Sequence, residues 1–142
     1  MRKKKIVVIG GGTGIPVILD SLRKEDVELT AIVTVADDGG SSGKLRGTLD
    51  IAPPGDLRNV LVAMSDMPRV YGQIFQYRFR AEDGPLSGHP IGNIVIAGVS
   101  EMQGSTYNAR KVLSKFFHVQ GRILPSSESA LTLHAVFKDK TE

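Results

Sequence analysis

The sequence holds 142 residues, 41% of them hydrophobic and 23% charged, with no cysteine and a formal net charge of +3. That length reads as one domain able to bury a core without staples, and the lack of cysteine excludes disulfides, thiolate metal sites and a cysteine nucleophile. The positive balance favours anionic ligands in general, but beyond residues 2–5 the lysines and arginines are dispersed and tryptophan is absent, so nucleic acid is not an expected partner.

The basic start, Arg2 to Lys5, runs into Ile6-Val7-Val8-Ile9 and stops at Gly10, too early for an export segment. No apolar run reaches transmembrane length, so a cytoplasmic chain with no membrane span is expected. Residues 5–9 are a continuous β-branched run and predict a central parallel strand buried on both faces. Ile15, Ile18, Leu19 and Leu22 then repeat at i, i+3, i+4, i+7, with Pro16 tolerated in the first turn, which predicts a helix ending near Lys24. Residues 29–35 form a second apolar run, completing a βαβ unit. Residues 37–47, rich in glycine, serine and charge, read as a loop at the end of that strand. After Pro53-Pro54-Gly55, Asp56 is placed as the N-cap of a helix carrying Leu57, Val60, Leu61 and Met64. Further helices are expected over 69–80, 91–102 and 106–118, and two more strands at 123–124 and 131–137. Together these predict an α/β, Rossmann-like three-layer domain with a mainly parallel sheet: a single, partial nucleotide-binding domain over 1–142. The chain stops just after its last expected strand with no helix to cover it, which reads as a domain truncated at its C-terminal end.

The chemistry concentrates at the strand ends. Gly10-Gly11-Gly12-Thr13-Gly14 sits where a strand turns into a helix, where free N–H groups and the helix dipole attract a phosphate. Its spacing is G-x-G-x-G with Ile15 following, so it is neither the dinucleotide fingerprint nor a P-loop, and no NAD or ATP motif is present. Asp37 and Asp38 follow the second strand, where a Rossmann domain places the acid that binds ribose hydroxyls. A paired acid can also hold Mg²⁺ beside a diphosphate, with Asp56 as a further oxygen donor, and plain helix capping is the competing role for Asp56. Ser41 and Ser42, within a small-residue loop, can wrap a second anionic group as a nest. Arg58 and Asn59 lie just after Asp56, and arginine is the natural bidentate partner of phosphate. Asn93 opens another helix after Gly88-His89-Pro90, where it and the local N–H groups can face the same crevice as a nucleotide-binding candidate. His89, His118 and His134 lack metal-ligand spacing, so zinc is not expected, and no catalytic triad emerges.

The motifs GGGTG (10–14), VADDGGSSG (35–43), PPGDLRN (53–59), GHPIGN (88–93) and ILPSS (123–127) together resemble the bacterial YvcK-like gluconeogenesis factor family, relatives of the 2-phospho-L-lactate transferase CofD. Members are longer, so the resemblance implies further residues after Glu142. It implies a cytoplasmic protein that binds a nucleotide sugar of the UDP-N-acetylglucosamine type, needed for gluconeogenic growth and for cell shape and the cell wall. In the transferase branch, aspartates matching Asp38 and Asp56 bind the metal beside a guanosine diphosphate, which makes those two the metal candidates. The residues after each aspartate, 39–43 and 57–59, depart from that branch and put transferase activity in doubt. The expected partner is thus a nucleotide sugar or nucleotide diphosphate, with Mg²⁺ as the cofactor, and a homo-oligomer and a protein partner stay open.

Overall fold

The computed structural model describes residues 2–36, 54–129 and 131–138. Three strands, β1 (Lys4–Gly10), β2 (Val27–Val33) and β3 (Arg122–Pro125), make one sheet in the order β1-β2-β3. Every pairing is parallel: β1 runs beside β2 from Lys4↔Val27 to Gly10↔Val33, and β2 beside β3 from Thr30↔Arg122 to Val33↔Pro125. Helix α1 (Gly14–Leu22) joins the first two strands. Four more helices follow: α2 (Pro54–Met64), α3 (Arg69–Gln76), α4 (Ile91–Gln103) and α5 (Thr106–Phe116). Fold class and strand direction are as the apolar runs predict.

Side chains of paired residues in a sheet share a face, so Ile6 and Leu29 point one way with Val8, Ala31 and Ile123. On that face they meet Ile15 and Leu19 of α1, Val60, Leu61 and Met64 of α2, Phe75 of α3, Ile96 of α4 and Leu113 of α5 in one cluster. Leu19, Val60, Leu61, Met64 and Ile96 are fully buried. Each such side chain contributes about 1.5–3 kcal/mol relative to an exposed one. All five described helices therefore pack on the same side of the sheet. The opposite face is different: Val7 is 56% and Ile9 73% exposed. The expectation of a first strand buried on both faces is corrected here, because β1 lies at the edge of the described sheet and alternates along its length. A helical layer on that second face is not formed by the described residues.

Local hydrogen bonding explains the other departures. The helix expected over 69–80 ends at Gln76, where Tyr77 turns extended. From there the chain pairs with the segment before α4, through Phe79 N–H to His89 O at 3.2 Å, Gly88 N–H to Phe79 O at 3.0 Å and Ile91 N–H to Tyr77 O at 2.9 Å. The helix expected over 106–118 ends at Phe116, and Val119 bridges antiparallel to Ser65. The strand expected over 131–137 is absent. That segment has no regular structure among the described residues, and Leu133, Val136 and Phe137 are exposed.

Candidate nucleotide-phosphate site

The three strands end together. Thr34 N–H donates to Gly10 O at 3.0 Å and Ser126 N–H to Val33 O at 2.7 Å, carrying the ladder just past each strand. Parallel sheets gather the loops after their strands at this carboxyl edge, where α/β domains bind ligands. Two glycines of the turn after β1 are required there for different reasons. Gly12 has φ +68, a left-handed conformation that costs other residues about 1–2 kcal/mol. Gly11 is needed for space: a Cβ would fall 2.2 Å from Thr34 Cγ2 and 2.6 Å from Asp56 Oδ2.

Asp56 is what the turn approaches. The Gly12 N–H donates to Asp56 Oδ1 at 2.9 Å, joining the glycine turn to the first turn of α2 across 44 residues. Asp56 is the third residue of α2, inside the helix and not at the flanking cap position expected. A carboxylate in a first helical turn is favoured by the positive end of the helix dipole. Asp56 thus presents negative charge to a backbone donor of the kind that cradles phosphates. Gly12, Thr13 and Gly14 stay exposed at the edge, and the Thr13 side chain makes no capping bond to α1.

Arg58, Asn59 and Asn93 are also brought together, but in the interior. Arg58 is 6% exposed and Asn93 1%. The Arg58 guanidinium donates to Gln76 Oε1 at 2.7 Å, to Asn59 Oδ1 at 3.3 Å and to Asn93 Oδ1. Gln76 Nε2 donates in turn to Asn59 Oδ1 at 3.0 Å. Burial, then the like charge of Arg78, push the Arg58 guanidinium down to about 10 against the opposing pull of Asp56, so it stays charged at neutral pH. It braces the starts of α2 and α4 and the end of α3. Asp37, Asp38, Ser41 and Ser42 lie outside the described residues. Among the described residues no three His, Cys, Asp or Glu side chains gather as a metal site.

A larger open groove of about 850 Å³ lies between α1, α2 and α3, lined by Val17, Arg23, Asn59, Met67, Arg69 and Gln73 among others. It includes none of residues 10–14, so cavity size does not coincide with the strand-end chemistry. A residue that sequence reasoning missed does coincide with it: Arg110 of α5, 7% exposed, lines a small pocket with Val33, Thr34 and Val35 at the end of β2. Its signal was available, since Thr106, Ala109, Arg110, Leu113 and Phe117 recur at helical spacing and set a charge on the buried face of α5.

The family model described as 2-phospho-L-lactate transferase CofD matches residues 6–142. The chain belongs to the CofD family. Over all 142 residues it is 68% identical to a Streptococcus pyogenes protein named "Putative gluconeogenesis factor", of which it covers 44%. A Listeria monocytogenes protein named "Gluconeogenesis factor" is 52% identical over 138 residues, 96% of this chain and 42% of that one. A solved structure of a Bacillus halodurans protein superimposes with a TM-score of 0.92 at 50% identity, over 98% of this chain and 45% of that chain. The chain therefore spans less than half the length of these CofD-family relatives. No described helix is long and apolar enough to cross a membrane.

Proposed function

We propose that this chain supplies the phosphate-binding part of a cytoplasmic regulatory protein that binds a nucleotide sugar of the UDP-N-acetylglucosamine type and serves gluconeogenic growth and cell-wall maintenance. The observation that carries the reading is the Gly12 N–H held on Asp56 at the carboxyl edge of the sheet, with Thr13 and Gly14 exposed beside it at the start of α1. A strand-end turn of this kind accepts the diphosphate of a nucleotide through backbone N–H groups and the helix dipole. The names of the relatives support the gluconeogenic role.

Asp56 suits Mg²⁺ in its donor chemistry, as a carboxylate oxygen at the ligand's edge, and Asp38 is the second proposed ligand. When bound, the cation would neutralise diphosphate charge. The chain's own part is to hold Asp56 against the turn, so a free anion meets a carboxylate there and a cation-bound diphosphate meets a partner. The second reading, favoured by the name of the family model, is a Mg²⁺-dependent transferase acting on a nucleotide diphosphate donor. Incubating the full-length protein with UDP-N-acetylglucosamine and with candidate donors, and following nucleotide release, separates the two. Saturable binding without release is expected; metal-dependent release at each turnover would replace the regulator with the transferase.

A further inference from the structure

Among the described residues Arg110 is a buried cation without a matching anion. Its Nη1 donates to Tyr107 O at 3.0 Å, and its guanidinium carbon stacks 3.8 Å from the centre of the Tyr107 ring. No described carboxylate forms an ion pair with it. Among the described residues its Nε is the one buried side-chain nitrogen or oxygen with no hydrogen-bond partner. Leaving a charged donor buried and unpaired is costly, and a charge survives burial when something compensates it.

The placement says what could compensate it. Arg110 lines its pocket with Val33 at the end of β2, Thr34 and Val35 just after it, Pro125 at the end of β3, Leu57 of α2 and Thr106 at the start of α5. Thr34 is also the residue against which Gly11 packs, and Leu57 follows Asp56 in the chain. The pocket thus adjoins the glycine turn. The first turns of α2 and α5 both end at it, and each brings a positive dipole end. The space left is about that of one water molecule, so it takes a single oxygen and not a whole phosphate.

We infer that Arg110 is an anion-binding residue of the nucleotide site, whose Nε–H donates to one phosphoryl oxygen of a bound nucleoside diphosphate. This rests on the proposed nucleotide-binding function and adds a residue to it. Stacking on Tyr107 fixes the plane of the guanidinium and so aims Nε before the ligand arrives. An arginine held this way donates a directed, charge-assisted bond that a lysine cannot reproduce.

The experiment uses full-length protein with UDP as the probe and uridine as the control lacking phosphate. Arg110→Met keeps the length and packing of the side chain, and is expected to weaken UDP binding by about tenfold while leaving the melting temperature close to the parent's. Arg110→Lys should recover only part of that loss. In the unaltered protein, the Arg110 Nε–H proton resonance should shift and its exchange with water should slow on adding UDP, and neither should respond to uridine. This last readout holds even where a variant fails to fold. If the parent binds UDP while the resonance ignores it, or folded Arg110→Met binds as tightly as the parent, the pocket holds only water and the inference fails. If the parent itself does not bind UDP, the proposed function fails first.

Discussion

Glycines 11 and 12 are adjacent and make opposite demands, which substitution separates. Gly11→Ala forces a methyl into Thr34 and the Asp56 carboxylate, and should cost about 1–3 kcal/mol by urea unfolding, as overpacking does. At Gly12 no neighbouring atom of a described residue lies within 4 Å of an added Cβ, so Gly12→Ala should cost about 1–2 kcal/mol, from backbone strain. Gly12→Val should likewise keep the fold and lose nucleotide affinity. The glycine run was legible in the sequence as a strand-to-helix turn, but which glycine is needed for conformation and which for space was not. That distinction depends on Thr34 and Asp56, which only the fold brings near. In the same way Asp56 was singled out from the sequence, yet its bond to Gly12 spans 44 residues, a separation that no local pattern encodes.

Elements were most readable where apolar periodicity is strong. The spacing of Ile15, Ile18, Leu19 and Leu22 and the β-branched runs placed α1, β1 and β2 within two residues of their observed bounds. Ends were less readable, since α3 stops where its chain finds backbone partners near His89, a tertiary effect. Residues 131–137 alternate like a strand but carry no regular structure among the described residues, and pattern alone does not make a ladder. The Arg58 brace is the element-scale feature with the largest expected consequence. Arg58→Met strips Gln76 and Asn93 of their guanidinium donor, and should cost about 2–4 kcal/mol in urea unfolding. A weaker effect belongs to α1. Burial alone pushes the Asp20 carboxyl up, but hydrogen bonds and charge from Arg23 and Lys24 outweigh it and hold it below the ordinary 3.8. Its folded value lies under its unfolded one, so its contribution is present above pH 3.8 and fades as the pH falls through the lower, folded value. Solvent screens this half-exposed pair, so Asp20→Asn should cost only about 0.5 kcal/mol at neutral pH, and less in an acid titration followed by circular dichroism.

At the scale of the whole molecule, the described helices cover one face of the sheet and leave Val7 and Ile9 open on the other. Replacing both by lysine in the 142-residue chain should change its stability by only about 0.5 kcal/mol per site and reduce its binding of a hydrophobic dye. The charged side of the molecule's chemistry converges at the carboxyl edge, where the glycine turn, Asp56 and Arg110 come from three different segments of the sequence. The most direct measurement there is calorimetric titration of full-length parent and Asp56→Asn with UDP-N-acetylglucosamine, each in Mg²⁺ and in chelator. The parent is expected to bind at least about tenfold more tightly in Mg²⁺, and Asp56→Asn to bind alike in both, weaker than the parent in Mg²⁺ and stronger in chelator, because its neutral amide no longer repels the diphosphate. Parent binding that is indifferent to magnesium and chelator, or unaffected by the loss of the Asp56 charge, would contradict the assignment of this edge as the nucleotide-phosphate site.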